Sequence, residues 1–381
     1  VAPRAAKGNG SISQAANGSW RGYVTVDGKR RTFTASTKQE ADQKRRDLMK
    51  QRDSGRLSTG KIPTLNVWLE RWLEIRNHKP STAAGYRQSI RLYIQPAIGH
   101  LRLDKLNPEH VEDLLAGMAK KGISGSGRHQ TYSIIRASLA EAARRGHVQR
   151  NVAAIISAPK VPKVKAKSLS DGDVDAILAA ATGTPLEARW HLSLLLGLRP
   201  GEVTGLEWKD VDLKKGQLHV RQQLQQNRDL GLIIVETPKS TAGDRVIPLP
   251  AYLIDMLRKH RKNEAKKLLE LGDRRIVWSY QGHTPSFVFT MKHGQPLRPR
   301  DDDDVWRDLL AKAKVPFTRR YTARHTAASS MIASAIDVAT VSETLGHHSP
   351  GFTMSTYVHS IDERKVGLAD MIDRRITSTG V

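Results

Sequence analysis

Between Ala158 and Lys167 the chain reads Ala-Pro-Lys-Val-Pro-Lys-Val-Lys-Ala-Lys. Two prolines in a cationic run suit neither a helix interior nor a central strand, so the segment has the composition of an extended linker. It divides a chain of 381 residues, long for one domain, into parts that must each bury a core.

Upstream there are two patterns. Residues 1–17 are small and polar and read as a lead-in, with order beginning near Trp20. Ser19 to Val26 and Lys29 to Ala35 read as strands joined at Asp27-Gly28, a two-residue hairpin signal. Thr37-Lys38-Gln39-Glu40 matches a capping box and opens a helix to about Arg52. From about 62 the period becomes helical. Leu65, Trp68, Leu69, Trp72 and Leu73 share one face, a helix after Ser81-Thr82 carries Tyr86, Ile90 and Ile94, and Pro108 opens a third with Val111, Leu114, Leu115 and Met118. A fourth, about 127–145, turns Tyr132, Ile135 and Leu139 inward and leaves Arg128, Arg136, Arg144 and Arg145 available outside.

Charge points to the partner. The sequence has 62 Lys+Arg against 38 Asp+Glu, a formal net charge of +24, and residues 1–61 alone carry 14 basic and 5 acidic residues. Such an excess favours a polyanion, nucleic acid first. There is no cysteine, which excludes disulfides, thiolate metal sites and cysteine nucleophiles. No run approaches a membrane span and the first residues lack the apolar stretch of a secretory signal, so the expectation is a soluble, intracellular protein with no membrane partner.

Downstream of the linker, Ser170 caps a helix, Trp190 to Leu198 reads as buried helix, and strands are expected at about 217–225, 231–236 and 244–249, with Lys239 in a hairpin turn. Helices follow at about 251–270, 303–313, 323–335, 338–345 and 352–372. Five contexts stand out here: Gly197-Leu198-Arg199-Pro200-Gly201-Glu202, Thr237-Pro238-Lys239-Ser240, Tyr321-Thr322-Ala323-Arg324-His325, Leu345-Gly346-His347 and Thr356-Tyr357-Val358-His359. Two arginines can fork onto one phosphate, and a tyrosine hydroxyl can serve as a covalent nucleophile.

In their order and flanks these boxes resemble the tyrosine recombinases, specifically the integrases of temperate phages and integrative elements, from about Gly18 to the C-terminus. The resemblance implies a multidomain α+β protein. Its parts would be a lead-in (1–17), a three-stranded-sheet-plus-helix arm-type DNA-binding domain (18–60), an all-helical core-binding domain (61–158), the linker (159–167) and a mixed, mostly helical catalytic domain (168–381). Tyr357 would be the nucleophile; a phenol is only about 0.1% ionised at pH 7, so it needs a proton acceptor or a strongly cationic site. Arg199 and Arg324 would clamp the non-bridging oxygens, Glu202 would support Arg199, Lys239 would protonate the departing 5′-oxygen, and His347 would hydrogen-bond the phosphate. His348 is read as a bystander.

Tyr321 departs from the pattern. The family usually has histidine, or sometimes lysine, three residues before the second arginine, and a phenol is a poor base near neutral pH. DNA contacts are expected from Arg21, Lys29, Arg30, Arg31, Arg87, Arg128, Arg136, Lys160, Lys163 and Lys165. The implied reaction is site-specific recombination through a 3′-phosphotyrosyl bond and a Holliday junction, with no cofactor or metal, because bond energy is retained in the ester. The implied partners are duplex DNA with core-type and arm-type sites, four protomers on that DNA, a host DNA-bending protein and a directionality factor. The implied setting is the cytoplasm of a bacterial host, at the nucleoid. Three other readings stay open at this level: a metal-dependent nuclease built on Asp301-Asp302-Asp303-Asp304, an enzyme like the type IB topoisomerases, and a catalytically weakened integrase that only binds DNA.

Overall fold

Strand pairing starts earlier than the sequence pattern suggested. In the computed structural model, which describes residues 10–26, 28–53, 62–162, 168–237, 242–354 and 356, β1 (Ser11–Gln14) pairs antiparallel with β2 (Trp20–Val26), and β2 with β3 (Lys29–Ala35). Strand β1 therefore lies inside the expected lead-in. β1 gains its place from backbone hydrogen bonds along an open edge, since its four residues bury little. Helix α1 (Lys38–Asp53) covers one face of the sheet, where Val24 and Val26 are buried with Phe33 packed against them. Thr37 Oγ1 accepts from Glu40 N at 3.2 Å, as a cap should, while the Glu40 carboxylate reaches back to Ser36 N at 2.9 Å, one residue beyond the position a capping box uses.

The chain divides into two units, Val1–Lys163 and Val164–Val381. The first also holds a helical core made by α2 (Leu65–Ile75), α3 (Pro80–Ser89), α4 (Gln95–Ile98), α5 (Pro108–Lys120) and α6 (Gly125–Arg144). Leu65, Trp68, Leu69 and Trp72 form the buried stripe of α2, and Trp68 Nε1 donates to the Ser138 carbonyl of α6 at 2.9 Å. Asn107 caps α5, with Pro108 in the first turn where its missing N–H costs nothing. The helix expected after Ser81 is interrupted: Ile90–Ile94 forms a π-helical turn between α3 and α4.

The second unit opens with α7 (Asp171–Ala181), capped by Ser170 in a full capping box, then α8 (Glu187–Leu194) and the short α9 (Pro200–Thr204). Strands β4 (Val211–Asp212), β5 (Gln217–Val220) and β8 (Arg245–Pro248) form one sheet, while β6 (Gln222–Asn227) and β7 (Gly231–Glu236) form a separate hairpin. After them come α10 (Ala251–Leu271), α11 (Pro299–Lys312), α12 (Tyr321–Ala333) and α13 (Val338–Leu345), and residues 350–354 are again helical. The core centres on Trp190 and Trp306, whose ring centroids lie 5.0 Å apart.

Asp302 is fully buried. Its oxygens take Arg189 Nε at 2.7 Å and Arg189 Nη2 at 2.6 Å, and it also pairs with Arg320. The acidic run at the start of α11 thus supplies an internal ion pair in which the carboxylate is already matched by arginines. Among the described residues no helix is long and apolar enough to cross a membrane.

Candidate active site

Arg199 sits at the N-cap of α9, after Gly197 turns the chain at φ +69°. A Cβ at position 197 would lie 2.5 Å from Leu345 Cδ2, so both the backbone conformation and the close approach demand glycine. One turn into α9, the Glu202 carboxylate accepts from Arg199 N at 2.9 Å and from Arg199 Nη1 at 2.6 Å. The same side chain therefore caps the helix and orients the guanidinium. Arg199 Nη2 donates to the Gly346 carbonyl at 2.8 Å.

Arg324 arrives from α12 and is 1% exposed. Its Nη1 donates to the Gly197 carbonyl at 2.8 Å and its Nη2 to the Leu345 carbonyl at 2.6 Å. Its Nε is buried with no hydrogen-bond partner among the described residues. Arginine has more N–H donors than these two bonds use. Burial, then the neighbouring Arg199, lowers its pKa to about 10, which still leaves it charged at neutral pH. Two cations, Arg324 buried and Arg199 partly exposed, hung on the adjacent carbonyls of residues 345 and 346, make a place that favours an anion.

His347 follows the left-handed C-cap of α13, where Gly346 has φ 67° and ψ 47°. The ring is 8% exposed, and its Nδ1 lies 2.7 Å from Thr353 Oγ1. Burial, then Arg324, Arg199 and Arg245, pushes its pKa down to about 4, so it is neutral at pH 7. In the tautomer where the Thr353 hydroxyl donates to Nδ1, the ring proton sits on Nε2 and can be given to a phosphate oxygen. His348 beside it is exposed.

Tyr321 opens α12 one turn before Arg324, and its ring meets His325 edge-on at 5.1 Å between centroids. His325 is held below its usual pKa by burial and then by Arg324. The structure thus brings together Arg199, Glu202, Arg324 and His347, with Tyr321 on the adjoining turn. Lys239 and Tyr357 lie outside the described residues. The β7–β8 hairpin expected to hold Lys239 is corrected: β7 pairs with β6 and β8 with β5, so β7 and β8 belong to different sheets.

Sequence reading missed Arg245. It begins β8, is 6% exposed and forks onto Glu202, with Nη1 at 3.2 Å and Nη2 at 2.9 Å. A lone arginine at a strand start carries no local signal of this, because its partner lies 43 residues earlier.

The register of the N-terminal sheet sorts its basic residues. Arg21, Tyr23, Thr25, Arg30, Thr32 and Thr34 share the face away from α1, and the Arg30 guanidinium lies 4.4 Å from the Tyr23 ring centroid. Lys29 and Arg31 alternate onto the other face, in register with Val26 and Val24. Arg87, Arg136 and Lys160 are exposed, and Arg128 is half-buried. Arg144 and Arg145, expected to be available, both pair with Glu141. Lys163 and Lys165 lie outside the described residues.

A match to the phage integrase family spans residues 167–364, just over half of the chain, and a match to the phage integrase N-terminal SAM-like domain spans residues 64–119. The chain belongs to the phage integrase family. Among relatives of this integrase, an integrase of Saccharopolyspora erythraea is 28% identical over 96% of both chains. A XerC-like tyrosine recombinase of Caldanaerobacter subterraneus is 25% identical, covering 90% of this chain and 91% of the other. In fold, this integrase resembles the Tn1549 transposon integrase in complex with transposon right-end DNA (TM-score 0.66, 20% identity, 81% of this chain and 100% of that one). It also resembles lambda integrase in a tetramer bound to a Holliday junction (TM-score 0.55, 18% identity, 91% and 94%). As a tyrosine recombinase, this integrase is a site-specific enzyme that cleaves and rejoins DNA by transesterification.

Proposed function

We propose that Tyr357 Oη attacks a scissile phosphate gripped by Arg199 and Arg324. A 3′-phosphotyrosyl ester forms as the bond from phosphorus to the 5′-oxygen breaks, and Lys239 gives its proton to that oxygen. Two guanidiniums beside the phenol favour its ionised form, so the phenolic proton can leave to water without Tyr321 acting as base. The 5′-hydroxyl of a partner strand then attacks the ester and releases Tyr357. Charge grows on the non-bridging oxygens at each step, and preorganised N–H donors stabilise it without reorganising. The observation that carries this reading is the pair of arginines, Arg324 buried and Arg199 partly exposed, anchored on the carbonyls of Gly197, Leu345 and Gly346, with donors to spare.

In this reading residues 18–60 bind arm-type DNA through the open sheet face, 61–158 bind the core site, 168–381 carry the chemistry, and 159–167 cross a phosphate backbone as they join these last two. Four protomers act on a Holliday junction, as the lambda tetramer does, with a host DNA-bending protein and a directionality factor in the bacterial cytoplasm. The cargo is a phage or another mobile element, integrated and excised. The test is incubation of the full chain with a randomised library of nicked suicide duplexes, followed by sequencing of DNA trapped on protein. A covalent adduct is expected in chelator, lost in Tyr357→Phe and retained in Tyr321→Phe. An adduct surviving in Tyr357→Phe would overturn the assignment.

A further inference from the structure

Glu202 has an unusual share of the site's charge. Two guanidiniums, those of Arg199 and Arg245, bond to it and a third, that of Arg324, lies close enough to feel its charge, and no other carboxylate among the described residues bonds to the three. Each Glu202 oxygen accepts once from Arg199 and once from Arg245: Oε1 from Arg199 Nη1 and Arg245 Nη1, Oε2 from the Arg199 backbone N–H and Arg245 Nη2. Glu202 is 5% exposed, and burial alone would raise its pKa; Arg245 is the largest influence drawing it below the usual carboxylate range.

Arg245 also reaches the other side of the site. Its Nε donates to the Thr344 carbonyl at 2.6 Å, in the last turn of α13 just ahead of Gly346 and His347, and its Nη1 donates to the Gly243 carbonyl at 3.1 Å. A Cβ on Gly346 would come within 2.8 Å of Arg245 Nη1, so the two are in close contact. All three nitrogens of the Arg245 guanidinium donate within the protein, to Glu202, the Thr344 carbonyl and the Gly243 carbonyl, so this buried side chain has no nitrogen left without a partner for a DNA backbone.

We propose that Arg245 is a positioning residue of the recombination site: through Glu202 it sets Arg199, and through the Thr344 carbonyl it sets the turn that presents Gly346 and His347. Two physical effects follow. The carboxylate is held from both sides, so its orientation, and with it the Arg199 guanidinium, is fixed before DNA arrives. The carboxylate is also shared, so Arg199 is not neutralised by a private counter-ion and its charge stays available to phosphate. Glu202 alone would bind Arg199 as closely and leave the site less cationic.

The inference rests on the proposed clamp by Arg199 and Arg324, and the test separates the two. Full-length protein, Arg245→Met and Arg245→Lys are compared in single-turnover cleavage of a captured suicide duplex at saturating protein. The scissile group is either the natural phosphate or a methylphosphonate, which lacks one charged oxygen and so needs less help from Arg199. Arg245→Met is expected to slow cleavage of the phosphate by about 100-fold, the scale of losing one preorganised donor. The deficit should shrink to roughly 5-fold on the methylphosphonate, because a misplaced cation matters less when there is less charge to meet. DNA affinity should be unchanged.

A general loosening of the fold would slow both substrates alike, and equal deficits would overturn the proposal. So would folded variants that cleave the phosphate within roughly 3-fold of wild type, since a lost donor costs far more. If Arg245→Met lacks a cooperative melt, Arg245→Lys carries the comparison; if neither melts cooperatively, Arg245 is a stability residue and the proposal fails. Absence of any adduct from the unmodified protein would instead sink the clamp reading itself.

Discussion

Gly346→Ala separates backbone strain from site geometry. Gly346 has φ 67° and ψ 47°, and an added methyl would lie 2.8 Å from both the Ala242 carbonyl oxygen and Arg245 Nη1. Adopting the left-handed conformation costs alanine roughly 1–2 kcal/mol. Neither neighbour can give way freely, because Ala242 O is main chain and the Arg245 guanidinium is held by Glu202, Thr344 and Gly243. Overpacking of this kind adds roughly 1–3 kcal/mol, so about 2–5 kcal/mol in all is expected. Gly183→Ala is the matched control: its φ is +76° and nothing lies within 4 Å of the new methyl, so only the conformational cost applies. Urea denaturation of the full chain should show the difference, with Gly346→Ala destabilised by roughly 1–3 kcal/mol more than Gly183→Ala. Relief of the clash moves the Gly346 carbonyl that holds Arg199, and a displacement near 1 Å costs about 100-fold in single-turnover cleavage. Gly183→Ala should cleave normally. Equal destabilisation of the two variants, or a destabilised Gly346→Ala that cleaves at the wild-type rate, would refute the reasoning.

Three further outcomes are expected. The unfolded His347 ring takes its proton near pH 6.5 and the folded ring near 4, so its contribution is complete above 6.5 and is lost as pH falls toward 4. The loss should be on the order of 1–3 kcal/mol, and His347→Gln should flatten the stability–pH curve over that window by this amount; an unchanged slope would contradict it. Asp302→Ala leaves Arg189 buried without its carboxylate and should cost about 3–5 kcal/mol in a thermal melt; a loss under roughly 1 kcal/mol would mean the pair is not structural. In a gel-shift assay with arm-type DNA, Arg21→Ala should weaken binding by roughly 10-fold, a typical cost of one lost DNA contact, and Arg31→Ala far less; equal losses would contradict the facing assigned by the strand register.

Elements held by local rules were readable in the sequence. The cap at Ser170, the helix start at Pro108, the apolar stripe from Leu65 to Trp72 and the alternation of Trp20 to Val26 act over one or two turns, and the structure follows them closely. What escaped reading is set by distant partners. Strand β1 has no apolar alternation and exists because an edge was available to it. The pairing of Leu218 with Ile247, rather than of β7 with β8, is decided by packing into the core around Trp190. The break after Ser89 left a trace: Tyr86, Ile90, Ile94 and Ile98 recur every fourth residue, wider than the roughly 3.6 of an α-helix, and a π-helical turn keeps such a series on one face. Within the site, the boxes containing Arg199, Arg324 and His347 were conspicuous in the chain, whereas Arg245 became visible only once its contact with Glu202 was drawn.

Main-chain carbonyls hold both Arg199 and Arg324, and every residue type has a carbonyl. Leu345 could change its side chain without removing the oxygen that Arg324 uses, while Gly197 and Gly346 are constrained by their left-handed backbones. Retargeting such a recombinase to new sequences can therefore redraw the side chains that face DNA quite freely, provided the path of the peptide through these three positions is left alone.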